Sequence, residues 1–241
     1  MSHITAKDRL IVALDMPTSE EAQRLIAKLG DTVSFYKVGL ELLFAGGLEL
    51  ARALKGEGKQ VFLDMKLLDI GNTVERAVAN ATELGVDFLT VHGHDIKTLQ
   101  AAVMGRGDSR LKLLAVTVLT NLTADDLKQQ GCSMTPSDLV LARARLAHES
   151  GFDGVIASGQ EAARIREAVG PDFLIVTPGI RLTGSASDDQ ERITTPDHAI
   201  ATGADYIVVG RPITQSDDPV GTAETFIHHI REAHAARARA S

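Results

Sequence analysis

Val61-Phe62-Leu63-Asp64-Met65-Lys66-Leu67-Leu68-Asp69-Ile70-Gly71-Asn72-Thr73 is the stretch that decides how this chain is read. Val61, Phe62 and Leu63 form a short apolar run of the kind that builds a buried strand. An acid, a base and a second acid follow within six positions. Side chains alternate along a strand, so Asp64 and Lys66 are expected to face one way, with Cα atoms roughly 6–7 Å apart. Asp69 comes three residues later, where the strand is expected to end and a helix to begin. Charges rarely enter a core unless paired. Two carboxylates around one ammonium therefore point to a site; a structural ion-pair network is the other reading of the same spacing.

Along the chain, the strand-then-helix unit occurs eight times. Strands are expected at 10–14, 33–40, 61–68, 88–91, 111–119, 154–157, 173–177 and 206–209. Helices are expected from 17 to about 29, 48 to 55, 71 to about 85, 96 to about 104, 136 to 149, 161 to 169, 196 to 202 and 219 to about 235. Thr18 and Thr135 stand where helix caps belong, and Pro136 suits a first helical position. The segment 120–135 reads as irregular, with a helical turn around 125–129. The last residues, 235–241, are expected to fray. The strands are apolar runs rather than strict alternations, as in a parallel sheet covered on both faces. With no linker or low-complexity tract, residues 1–241 read as one domain, a (β/α)8 TIM barrel. A doubly wound open sheet is the rival, but no Gly-x-Gly-x-x-Gly turn follows the first strand.

Composition narrows the function. Aromatics make up 4% of the chain and Trp is absent, which argues against an aromatic-lined sugar or nucleic-acid surface. A net charge of −7 with interspersed signs argues against a nucleic-acid partner. No apolar run approaches the roughly 20 residues that span a membrane, and the first ten residues lack a signal core, so a cytoplasmic location is expected. The single cysteine, Cys132, reads as neither disulfide partner nor nucleophile.

Barrels of this kind work at the C-terminal ends of their strands. There the sequence places Asp15, Lys37, Asp64, Lys66, Asp69, Thr120-Asn121, Ser158, Arg181 and Gly210-Arg211. Gly-Ile-Arg after strand seven and Gly210-Arg211 after strand eight form an expected phosphate grip, because Gly lets backbone approach and Arg offers a forked donor. Flanking carboxylates should keep Lys66 protonated, making it a proton donor to a developing carbanion rather than an amine nucleophile. His92, His94 and Asp95 could ligate a metal, but two histidines alone are not a site. The loop 181–195 is long enough to act as a lid.

The chain resembles the bacterial orotidine 5′-monophosphate decarboxylases over essentially its full length. The resemblance lies in Ala13-Leu14-Asp15, Tyr36-Lys37-Val38-Gly39, Asp64-x-Lys66-x-x-Asp69-Ile70-x-Asn72-Thr73, Val116-Thr117-Val118-Leu119-Thr120, Pro178-Gly179-Ile180-Arg181 and Val209-Gly210-Arg211-Pro212-Ile213. It departs at Leu67-Leu68, where many members carry Phe-His, and at Gly71, where many carry Pro. The resemblance implies decarboxylation of orotidine 5′-monophosphate to uridine 5′-monophosphate, the last step of de novo pyrimidine synthesis, with no metal and no organic cofactor. It implies ribose contacts from Asp15 and Lys37, and an alternating array of Lys37, Asp64, Lys66 and Asp69. Lys66 would protonate C6. Ser158 would bind the pyrimidine, Gln190 would bridge base and phosphate, and Arg181, Gly210 and Arg211 would hold the phosphate. Thr120 would contact substrate. It further implies a homodimer in which Asp69, Ile70 and Thr73 reach the partner's site. The rivals are a magnesium-dependent sugar-phosphate decarboxylase or aldolase of the same superfamily, and a barrel that only binds a nucleotide.

Overall fold

In the computed structural model, which describes residues 4–182 and 194–240, eight parallel strands close into a barrel in sequence order. They are β1 (Leu10–Ala13), β2 (Phe35–Val38), β3 (Gln60–Leu67), β4 (Phe88–His92), β5 (Lys112–Val116), β6 (Gly154–Ile156), β7 (Leu174–Thr177) and β8 (Tyr206–Val209), and β8 pairs with β1. The helices are α1 (Ser19–Leu29), a single turn α2 (Leu40–Leu42), α3 (Leu48–Gly56), α4 (Gly71–Glu83), α5 (Ile96–Arg106), α6 (Ala124–Gln129), α7 (Pro136–Glu149), α8 (Ala162–Val169), α9 (Pro196–Thr202), the short α10 (Arg211–Thr214) and α11 (Pro219–Ala240). The expected (β/α)8 architecture is the observed one.

Strand alternation explains how the barrel is filled. Ile11, Phe35, Phe62, Phe88, Leu114, Val176, Tyr206 and Val208 belong to one buried cluster, separate from the apolar shell between strands and helices. Phe88 lies at its centre, edge-on to Phe35 at 5.0 Å, to Tyr206 at 5.2 Å and to Phe62 at 5.9 Å between ring centroids. Each buried ring contributes about 1.5–3 kcal/mol through lost apolar exposure. Two residues further along the same inward columns stand Lys37, Asp64 and Thr90. The aromatic plug is thus the floor beneath the polar layer.

The N-terminal end of the barrel is tied by a repeated clip. Asp87, Asp153 and Asp205 each immediately precede an even-numbered strand. Asp87 Oδ2 accepts from Lys55 Nζ and from the Val61 N–H, both at 2.7 Å. Asp153 Oδ2 accepts from Arg106 at 2.7 Å and from the Leu113 N–H at 2.9 Å. Asp205 Oδ2 accepts from Arg166 at 2.6 Å and from the Ile175 N–H at 2.9 Å. One carboxylate therefore joins a helix end, the strand after that helix and the next strand.

Local chemistry sets the helix starts as expected. Thr18 Oγ1 accepts from the Glu21 N–H, Thr135 Oγ1 accepts from the Asp138 N–H, and Pro136 opens α7. Thr123 and Asp126 form a capping box that turns the expected single turn into α6. Three expectations need correction. β2 stops at Val38, because Gly39 and Leu40 enter the α2 turn. β5 stops at Val116, where its pairing with β4 and β6 ends. The last helix does not end near 235; α11 runs to Ala240, since Ala and Arg are strong helix formers and Arg237 reaches the Ile200 and Ala204 carbonyls at 3.4 Å.

Candidate active site

Above the aromatic floor, four charged side chains from β2, β3 and the loop after β1 form a row. Lys37 Nζ lies 3.0 Å from Asp15 Oδ1 and 3.3 Å from Asp64 Oδ2. Asp64 Oδ1 lies 2.8 Å from Lys66 Nζ. The alternation within this chain is thus Asp15–Lys37–Asp64–Lys66. Burial alone would lower the Lys37 pKa, but Asp64 and Asp15 outweigh it and hold the pKa above the ordinary lysine value. Burial would raise Asp64, but Lys37 and Lys66 together hold it below the ordinary carboxylate value. Both ends of the Lys37–Asp64 pair are therefore charged at neutral pH.

The approach of Asp64 and Lys66 does not come from simple strand alternation. The β3–β4 register slips between Leu63 and Leu67. Lys66 has φ +51°, the one non-glycine residue with positive φ among the described residues. For an L residue this costs roughly 1–2 kcal/mol. The Lys66 N–H is accepted by Thr90 Oγ1 at 3.0 Å, and the Thr90 hydroxyl donates to Asp64 Oδ1 at 2.9 Å. Sequence reading missed Thr90; the only signal was a hydroxyl inside the apolar run Phe88-Leu89-Thr90-Val91. It also gave no role to Gly39, where a Cβ would fall 2.7 Å from Asp15 Oδ1 and 3.1 Å from Lys37 Nζ.

The row borders a cavity of about 640 Å³. Asp15, Lys37, Asp64, Lys66, Thr120, Arg181, Gly210 and Arg211 all line it. Val116, Val118, Ile156 and Val208 give it an apolar wall suited to a flat ring. Across from the lysines, Gly179 takes φ +72° in the turn after β7, and buried Arg181 donates to the Ile180 carbonyl at 2.9 Å. Gly210 and Arg211 enter α10 directly after β8.

Other expected residues stand apart. Ser158 is buried behind the lining, and its Oγ accepts from the Gln160 N–H at 3.2 Å. Asp69, Ile70 and Thr73 are exposed outside the cavity, and Asp69 Oδ1 accepts from the Ile70 N–H at 2.7 Å. Gln190 and most of the 181–195 loop lie outside the described residues. The His92 and His94 rings stack at 4.7 Å. Burial, with His94, Lys66 and Arg143 nearby, pushes His92 down to about 4, so it is neutral at pH 7. Among the described residues no three His, Cys, Asp or Glu side chains converge as metal ligands.

The model of the orotidine 5′-phosphate decarboxylase / HUMPS family matches residues 8–226. The chain belongs to this family. It is 54% identical over 227 residues to the orotidine 5′-phosphate decarboxylase of Rhodopseudomonas palustris, covering 94% of this chain and 96% of that protein. The decarboxylase of Bradyrhizobium diazoefficiens is 50% identical over 232 residues, covering 96% and 98%. The crystal structure of the Lactobacillus acidophilus orotidine 5′-phosphate decarboxylase superposes with a TM-score of 0.81 at 38% identity, covering 92% of this chain and 98% of that one.

Proposed function

We propose that the cavity binds orotidine 5′-monophosphate with its phosphate toward Arg181, Gly210 and Arg211, its ribose against Asp15 and Lys37, and its C6 beside Lys66. The reaction of the family member this chain represents is decarboxylation to uridine 5′-monophosphate and carbon dioxide in pyrimidine biosynthesis. The observation that carries the assignment of roles is the Asp15–Lys37–Asp64–Lys66 row, facing an arginine pair across one cavity.

The chemistry follows from that row. The bond between C6 and the carboxylate breaks, and its electron pair stays on C6. Asp64, held ionised by two lysines, repels a neighbouring substrate carboxylate and not the neutral carbon dioxide that leaves. The Lys66 ammonium faces the growing negative charge on C6, stabilises it and gives up a proton to it. The preformed row needs little reorganisation as charge develops. Arginines far from C6 supply binding energy that positions the ring. A cytoplasmic location suits a phosphorylated substrate that does not cross membranes.

Asp69, Ile70 and Thr73 are assigned to the neighbouring subunit's site in a homodimer. Leu68 and Ile70 are 52% and 75% exposed beside the β3 end, and burial against a second copy would cover them.

Two experiments test the reading. Purified protein given orotidine 5′-monophosphate in excess EDTA is expected to discharge the orotate chromophore; no turnover would overturn the assignment, and magnesium-dependent turnover of a sugar phosphate in its place would favour a sugar-phosphate relative. Mixing inactive Lys66→Ala and Asp69→Ala subunits is expected to restore activity in hybrid dimers. Verified hybrids without activity would remove Asp69 from the shared site.

A further inference from the structure

Thr90 is fully buried, yet its hydroxyl is not satisfied in the ordinary way. Thr117, on the neighbouring side of the barrel, donates to a backbone carbonyl, that of Ile156 at 2.8 Å. Thr90 instead donates to Asp64 Oδ1 and accepts from the Lys66 N–H. One hydroxyl can do both, since it has one proton and two lone pairs.

The geometry closes a ring. The Lys66 N–H binds Thr90 Oγ1, Thr90 Oγ1 binds Asp64 Oδ1, and Asp64 Oδ1 binds Lys66 Nζ at 2.8 Å. This ring sits where the β3–β4 register slips, so the Thr90 side chain supplies an acceptor for the displaced Lys66 N–H. Lys66 holds its positive φ at that point. A residue in so sparsely populated a conformation persists only where its surroundings over-determine it. Thr90 is the polar group that does so from the adjacent strand.

We propose that Thr90 is a positioning residue of the decarboxylation: through one hydroxyl it fixes both the Asp64 carboxylate and the Lys66 backbone, and so sets where Lys66 Nζ meets the reacting carbon. The proposal rests on the functional reading above. It assigns Thr90 no contact with substrate, because the residue does not line the cavity.

The test compares Thr90→Val, which keeps the volume and removes both hydrogen bonds, with Thr90→Ser, which keeps the hydroxyl. Thr90→Val is expected to lose about 10–100-fold in kcat with KM within roughly threefold of the parent. Thr90→Ser is expected to stay within roughly threefold on both. In parallel, carbon-13 NMR of the Asp64 carboxyl follows its titration without any turnover; its midpoint is expected to rise in Thr90→Val and to hold in Thr90→Ser. If Thr90→Val does not fold, Thr90→Ala takes its place. Parental kcat in Thr90→Val, equal losses in both variants, or a loss confined to KM would overturn the proposal. Parent protein that fails to turn over orotidine 5′-monophosphate refutes the functional reading instead. In that case an unmoved Asp64 midpoint in Thr90→Val would also refute the Thr90 link.

Discussion

At the N-terminal end of the barrel, Asp87, Asp153 and Asp205 each hold one base and one strand N–H. At the C-terminal end, Asp64 is held by two lysines and a hydroxyl, and one of those lysines sits in a backbone conformation that L residues avoid. The side-chain types are the same, and the arrangements serve opposite purposes. At the first end each carboxylate satisfies backbone that a barrel rim would otherwise leave unpaired, and the reward is stability. At the second, charge is concentrated on the lining of the cavity proposed to hold the substrate, and strain is tolerated. This division matches the general rule that barrels catalyse at one face and are stabilised at the other.

The largest effect on stability is expected at the clips. Asp205→Asn weakens two interactions of a side chain that is only 16% exposed. It leaves Arg166 without its carboxylate and should cost about 2–4 kcal/mol, lowering Tm by roughly 5–10 °C. Turnover per folded molecule should stay at the parental value. Calorimetry beside active-site titration checks both, and a loss of kcat without a loss of Tm would break the division between the two ends.

A smaller effect is expected at the catalytic end. Gly39→Ala places a Cβ against Asp15 and Lys37, whose flexible ends must move. KM should rise by about tenfold, near 1.4 kcal/mol of binding, while Tm hardly changes. Steady-state kinetics decides, and an unchanged KM would show that the Asp15–Lys37 pair tolerates displacement.

The smallest effect concerns acid. His92 is neutral in the fold, with a pKa near 4 against 6.5 when unfolded. The unfolded chain then binds more protons between those values, so this contribution to stability is full above about 6.5 and is lost as pH falls toward about 4. His94, also lowered by burial and Arg143, acts with the same sign. Asp64, with its depressed pKa, loses its contribution only below that window. Urea unfolding of His92→Asn at pH 7 and about pH 4.5 should therefore show a shallower acid slope than the parent. An equal slope would remove His92 from the acid response.

The eight strands were legible because apolar runs bounded by turn residues need no tertiary information. The lysines, Asp15, Asp64 and the Gly210-Arg211 turn were legible because position at a strand end already implies the mouth of a barrel. Thr90 was not, since its role depends on a slipped register between β3 and β4 that alternation alone does not reveal. The aspartate clips were equally hidden: each joins residues 26 to 47 positions apart through one carboxylate oxygen. The end of α11 was misread because terminal position outweighed the strong helix propensity of Ala and Arg.

On the proposed function, Lys66 holds its strained place for the reaction and contributes little to stability. Lys66→Gly tests it most directly, because glycine accepts φ +51° without steric cost. Unfolding free energy and turnover of orotidine 5′-monophosphate are measured on the same preparation. The unfolding free energy is expected to stay within about 1 kcal/mol of the parent, and turnover to fall by roughly 10⁴-fold. Retained turnover, or a loss of several kcal/mol like that of a clip aspartate, would contradict it.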